Sequence, residues 1–77
     1  MSIVPILRAR EVIALLQRIG FRIISQKGSH VKLQHFINKT RQVIIPFHNK
    51  DLKRGTLLSI LRQAKISLQD FLNLLRK

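Results

Sequence analysis

The chain contains no cysteine, tryptophan or tyrosine, and its aromatic content is limited to four phenylalanines. Without cysteine it can form neither disulfide bonds nor thiolate metal sites, which fits a reducing compartment such as the cytoplasm. Its apolar runs, such as Val43–Ile45, are far too short to span a bilayer. No basic stretch precedes the apolar start of the chain, so we expect no signal peptide.

Acidic residues are also scarce, and this limits the chemistry open to the chain. The sequence has Glu11, Asp51 and Asp70 against fifteen Lys and Arg. Two-metal nuclease chemistry needs clustered carboxylates, and these three fall on separate predicted elements. The three glycines are isolated from one another, which excludes a glycine-rich phosphate loop. We therefore expect no metal ion and no small-molecule cofactor.

The chain is strongly basic, with a net charge of +12 on 77 residues. Such a charge destabilises the compact state by self-repulsion, which points to a polyanionic partner. Nucleic acid is the first candidate, because phosphate contacts release counterions. An acidic protein is the second. An anionic membrane is the third, and we do not expect it, because the basic residues are spread over the chain rather than along one helix face.

Periodicity predicts an α+β fold with the order α-β-β-β-α-α and residues 1–77 in a single domain. The first helix covers Glu11–Ile19 and ends before Gly20. Strands are predicted at Phe21–Gln26, Ser29–Phe36 and Arg41–Ile45, with Lys27-Gly28 as a turn and Pro46 ending the third strand. Short links make the strands antiparallel, and the helices then cover one face of the sheet.

Helical spacing returns after a connector over residues 47–54. Two further apolar stripes are predicted: Leu57, Ile60, Leu61 and Ala64, then Phe71, Leu74 and Leu75. Ser67–Asp70 resembles a capping box that opens the last helix.

The second predicted strand separates two kinds of side chain. Val31 and Leu33 point to one face, while His30, Lys32 and Gln34 point to the other. The polar face of this strand is therefore the predicted nucleic-acid surface.

His30 is the residue with the strongest chemical interest, because histidine suits proton transfer near neutral pH. Cleavage of RNA without a metal needs proton transfer at the 2′-hydroxyl and at the leaving 5′-oxygen, with cations around the phosphorane. The supporting residues predicted nearby are Arg22, Lys27 and Lys32 as cations, Gly28 for close backbone approach and Ser29 as a donor. The alternative is that His30 is an ordinary surface residue.

The remaining histidines and the phenylalanines are open to more than one interpretation. His48 either positions RNA, serves as the second proton-transfer group, or bonds local backbone. A zinc site of three histidines would need His30, His35 and His48 to converge, although the first two fall on opposite faces of one strand. Phe21 and Phe71 are predicted core residues, whereas Phe36 and Phe47 are candidates for base stacking.

Three motifs in order resemble those of the HicA toxin family of toxin–antitoxin systems. They are Gln26–His30, Ile45–His48 and Leu52–Ala64, and the segments Glu11–Ile13 and Gly20–Phe21 fit as well. The resemblance covers about residues 10 to 75. The family often has a Ser-Gly pair before the first helix where this chain has Arg8-Ala9-Arg10, which predicts a weaker N-cap.

The resemblance implies a fold like the double-stranded-RNA-binding domain and ribosome-independent cleavage of mRNA. It implies that His30 is catalytic and that a HicB-type antitoxin blocks the active face. Lys53 and Arg54 lie in the third motif, and with His48 they join the predicted RNA-binding or supporting residues. Two other functions fit the same charge: a non-catalytic basic RNA-binding module, and a subunit whose positive face serves an acidic partner protein.

Overall fold

The computed structural model describes residues 3–76, over which the chain forms three helices and a three-stranded antiparallel sheet. The elements are α1 (Ala9–Arg18), β1 (Phe21–Lys27), β2 (His30–His35), β3 (Gln42–Pro46), α2 (Arg54–Ala64) and α3 (Leu68–Leu75). The strand order β1-β2-β3 follows the chain. The predicted fold class is confirmed, and the predicted boundaries of α1 and the strands differ by one or two residues. No helix within this described range is long and apolar enough to cross a membrane.

The β1–β2 hairpin determines the register between the first two strands. Lys27 pairs with His30, so Gly28 and Ser29 form the turn, and Lys27 belongs to β1 rather than to the predicted turn. Gly28 has φ +54 at the first turn position, where type II′ turns use glycine. The register of β1 shifts between Ile23 and Ser25, which places a β-bulge there.

The core lies between the helices and the inner face of the sheet. Val31 and Leu33 of β2 are buried, as predicted, whereas His30 is exposed. Each helix contributes its apolar stripe, and the largest fully buried side chains on helices are Val12, Leu16, Leu57, Ile60 and Phe71. The outer face of the sheet therefore stays open, because all the helices pack on the other side.

His35 is a structural histidine on the inner side of β2. Its Nδ1 accepts the backbone N–H groups of Ile37 at 3.2 Å and Asn38 at 3.1 Å. Nδ1 is therefore the unprotonated nitrogen, and Nε2 donates to the Ile19 carbonyl oxygen at 3.0 Å. The ring is almost fully buried, and it closes the loop after β2 against the end of α1.

The helix starts differ in how well they are capped. At α1, the Arg8 N–H donates to Glu11 Oε1 at 2.9 Å. The Arg8 guanidinium has no acceptor atom, so it cannot supply the other half of a capping box. At α3, Ser67 Oγ accepts the Asp70 N–H at 3.0 Å, as the sequence predicts.

Replacing Ser67 by alanine should lower the free energy of unfolding by about 1 kcal/mol, because the Asp70 N–H loses its acceptor. In a domain of this size that corresponds to a fall in Tm of about 4–8 °C, measured by circular dichroism. Gln69→Ala is the matched control in the same helix turn, since Gln69 is exposed and does not cap it. Equal melting temperatures for Ser67→Ala and Gln69→Ala would contradict a stabilising cap.

Candidate functional site

His30 is the first residue of β2, the central strand, and its side chain lies on the open outer face. It pairs with Lys27 on β1 and with Pro46 on β3. The short hairpin turn holds this position, because Lys27 and His30 flank it directly. His30 thus lies at the end of the sheet where β1 ends, β2 begins and β3 ends.

A shallow concavity of about 260 Å³ surrounds the imidazole. It is lined by Ser25, Lys27, His30, Lys32 and Ile44. Lys32 pairs with Ser25 on one side and Ile44 on the other, so all five side chains belong to one patch of the outer face. This patch, named the hairpin site, brings together two of the predicted cations and the predicted histidine.

The hairpin site carries positive charge without nearby carboxylates. No aspartate or glutamate occurs between Glu11 and Asp51, so the whole sheet is free of carboxylates. Glu11 caps α1 and Asp51 lies 3.7 Å from Arg8, while Asp70 belongs to the first turn of α3. With all three carboxylates held elsewhere, the hairpin site presents lysine ammonium groups that no carboxylate neutralises, which favours an anionic ligand.

The turn itself offers open backbone. Apart from Gly28 itself and its two chain neighbours, no residue has a heavy atom within 4 Å of where a Cβ on Gly28 would be. Ser29 is exposed, and its carbonyl oxygen accepts the N–H of Phe47. That bond ties the segment after β3 to the turn, so the predicted Gly-Ser-His and Pro-Phe-His motifs lie side by side.

A second depression adjoins the hairpin site past the end of β3. This cleft of about 350 Å³ is lined by Pro46, His48, Lys50, Asp51, Leu52, Lys53 and Thr56. Pro46, the cross-strand partner of His30, belongs to its wall. His48 and Lys53 are therefore brought together here, in the neighbouring cleft rather than in the concavity of His30.

Lys53 and Arg54 owe their positions to the start of α2. Lys53 is the N-cap residue and Arg54 the first helical residue, and both are exposed. The first turn of α2 carries no acidic side chain. Two cations and the free N–H groups of a helix N-terminus together make this end of the cleft electropositive.

Arg22 does not join the hairpin site. It pairs with Gln34, about 13 Å along β2 from His30 at the usual strand rise of about 3.3 Å per residue. Its guanidinium lies 5.2 Å from the centre of the Phe36 ring. Arg22 and Phe36 instead form a separate basic and aromatic patch at the far end of the same sheet.

Three exposed isoleucines of the sheet were not predicted from the sequence: Ile44 on the outer face, and Ile23 and Ile24 on the edge strand β1, where Ile23 pairs with the buried Leu33. Ile44, half exposed, lies next to Lys32 in the hairpin site, and Ile23 and Ile24 are half exposed on β1. Strand alternation offered a signal for Ile44, since Val43 and Ile45 are its buried neighbours. Nothing in the sequence marked the bulge that leaves both Ile23 and Ile24 in solvent.

The histidines do not converge on a common point. His35 is buried on the inner side of β2, as the alternation predicts, while His30 is exposed on the outer side. Within residues 3–76, no three side chains of His, Cys, Asp or Glu lie close enough to hold a metal ion.

Comparison with known protein families identifies the chain. Residues 9–66 match the sequence model of a toxin from bacterial toxin–antitoxin systems. That model is described as the HicA toxin, and the match covers about three quarters of the 77 residues. The chain therefore belongs to the HicA toxin family, and this membership implies an antitoxin partner. A comparison with curated proteins found no match.

Proposed function

We propose that residues 1–77 form a toxin domain that cleaves mRNA in the cytoplasm without a metal ion, and that a HicB-type antitoxin neutralises it. His30 is the proposed catalytic residue. The observation that carries the proposal is an exposed histidine between two lysines on a sheet face that lacks carboxylates. Membership of the HicA toxin family supports the toxin role.

The proposed reaction is an internal transesterification of the RNA. The 2′-oxygen attacks the adjacent phosphorus, forming a P–O2′ bond while the P–O5′ bond breaks. His30 removes the 2′-hydroxyl proton or donates a proton to the departing 5′-oxygen. Lys27 and Lys32 stabilise the charge that develops on the phosphorane oxygens. The products are a 2′,3′-cyclic phosphate and a 5′-hydroxyl end.

The neighbouring cleft supports a path for the RNA beyond the cleaved bond. His48 and Lys53 line it, and Arg54 begins the helix beside it. Phosphates of the chain leaving the hairpin site would meet these cations. His48 is the proposed second proton-transfer group, because its cleft shares Pro46 with the sheet end that bears His30.

The test uses purified protein and a fluorescent single-stranded RNA in buffer with EDTA. We expect cleavage that leaves a cyclic phosphate, and no cleavage where a single 2′-deoxynucleotide precedes the scissile phosphate. Cleavage that requires Mg²⁺ and proceeds on the 2′-deoxy substrate would contradict the mechanism.

Lys32→Gln should weaken RNA binding about three- to tenfold and make the dependence of log Kd on log salt shallower by about 0.7. The reason is the loss of one cation from the hairpin site. Arg62→Gln removes the same charge from the exposed side of α2 and should change Kd less than twofold. Fluorescence anisotropy at several salt concentrations measures both. Equal effects of the two substitutions would mean that RNA binds elsewhere or responds only to net charge.

The second candidate function is a basic RNA-binding module without catalysis. It is favoured by one observation: among the described residues, no hydrogen bond orients the His30 ring. Catalytic histidines are commonly held by a third group. The module predicts salt-sensitive RNA binding with no products, so the cleavage assay separates the two functions.

A further inference from the structure

The two edges of the sheet differ in whether a further strand could pair with them. At the β3 edge, the Ile44 N–H donates to Gln63 Oε1 of α2 at 3.1 Å. Pro46, the next outward position on that edge, has no N–H to offer. Both features block the pairing of a further strand. The β3 edge is therefore closed by the chain itself.

The β1 edge has no such protection. Since Lys27 and His30 flank the turn as a hydrogen-bonded pair, the next residue, Gln26, points its N–H and C=O away from β2. Within residues 3–76, no backbone hydrogen bond from another segment reaches this side of β1. Every residue of β1 after Phe21 is exposed.

The side chains along this edge define what could pair with it. Ile23 and Ile24 are 46% and 48% exposed, which is unusual for isoleucine in a strand. Arg22 and Lys27 lie on either side of them, and no carboxylate occurs anywhere on the sheet. A second copy of the chain, also carrying +12, would be repelled. A segment that combines acidic and apolar residues would be attracted.

We infer that β1 accepts an extended acidic segment of a partner protein as a fourth strand of the sheet. Backbone hydrogen bonds would hold the segment at Gln26, and its apolar side chains would cover Ile23 and Ile24. The inference rests on the proposed function in one respect, that the partner is the antitoxin. A strand there runs past Lys27, the neighbour of His30, and so would carry the antitoxin over the hairpin site.

The probe is a synthetic seven-residue peptide of alternating glutamate and valine, added to the ¹⁵N-labelled chain. Amide hydrogen exchange followed by NMR reports where the peptide pairs. We expect exchange at Gln26 to slow at least about tenfold at saturation, while the β3 amides stay unchanged. The same peptide with alternate N-methylated residues cannot form strand hydrogen bonds and should give no protection.

Two substitutions at one position separate backbone pairing from mere attraction. Gln26→Pro removes the outward N–H, which an edge strand tolerates, and should abolish the protection of β1 by the peptide. Gln26→Thr keeps the N–H, so the peptide should still protect β1 in this variant. The inference is overturned if the peptide fails to bind at millimolar concentration, if it protects a segment other than β1, or if Gln26→Pro binds it as tightly as Gln26→Thr.

RNA cleavage measured on the same two variants without peptide keeps the two proposals apart. Gln26 lies outside the hairpin site, so both variants should cleave RNA at the wild-type rate if the proposed function holds. Absence of cleavage in the wild-type chain would contradict the ribonuclease proposal. Strand pairing at β1 would still be tested independently by hydrogen exchange.

Discussion

Replacing His30 by alanine is expected to lower the rate of RNA cleavage by about two to four orders of magnitude, the usual contribution of a general acid or base. The imidazole lies between Lys27 and Lys32, and no carboxylate on the sheet could take over the proton transfer. The rate is measured under single-turnover conditions with saturating protein, so that weaker binding does not pass for slower chemistry.

The fold of this variant should be intact, because His30 is exposed and the change in stability should stay within about 0.5 kcal/mol. Gln34→Ala is the matched control, since it removes a polar side chain from the same face of the same strand. That control should retain most of the cleavage rate. If a folded His30→Ala protein cleaves RNA as fast as Gln34→Ala, His30 is not a catalytic residue.

Replacing His35 by alanine is expected to lower the free energy of unfolding by about 2–4 kcal/mol. The loss of Nδ1 leaves the N–H groups of Ile37 and Asn38 without their acceptor. The loss of the ring also opens a gap beside Phe21 and Phe36, whose ring centres lie 5.2 and 5.4 Å from that of His35. Urea unfolding followed by circular dichroism measures the change.

His48→Ala is the control for this experiment, because His48 is exposed and should change stability by less than about 0.5 kcal/mol. The two variants should therefore differ: His35→Ala lowers the free energy of unfolding, whereas His48→Ala lowers the rate of RNA cleavage. Similar stabilities of the two variants would show that the hydrogen bonds of His35 contribute little.

The space around His35 also explains a glycine. Gly20 has φ +104, and a Cβ there would lie 2.9 Å from His35 Nε2 and 2.8 Å from Phe36 Cε1. Phe36 is half exposed and its ring can move, but His35 Nε2 is fixed by its bond to Ile19. The helix-ending glycine found in the sequence is therefore also required by packing.

The order of elements was predictable because apolar spacing differs between helices and strands. In β2, the alternation of Val31 and Leu33 with His30, Lys32 and Gln34 was enough to assign the faces of the sheet. The predicted turn at Lys27-Gly28 located the hairpin to within one residue of the observed turn at Gly28 and Ser29. Local sequence carries this information because it depends on neighbours one to four residues apart.

The composition of the site depended on features that local sequence does not encode. Register places Arg22 opposite Gln34 instead of near His30, although Arg22 lies closer to His30 in sequence than Ile44 does. The bulge before Ser25 and the bond from Ile44 to Gln63 arise from pairings between distant segments. Such contacts are set by the packing of the whole chain.

The most direct test of mRNA cleavage by His30 is induction of the wild-type chain and of His30→Ala in a bacterial host, with growth and mRNA integrity followed together and soluble protein confirmed for both. We expect growth arrest and loss of mRNA with the wild type, and normal growth with intact mRNA for His30→Ala. Intact mRNA in both cultures, or equal mRNA loss in both, would contradict the claim that this HicA-family chain cleaves mRNA through His30.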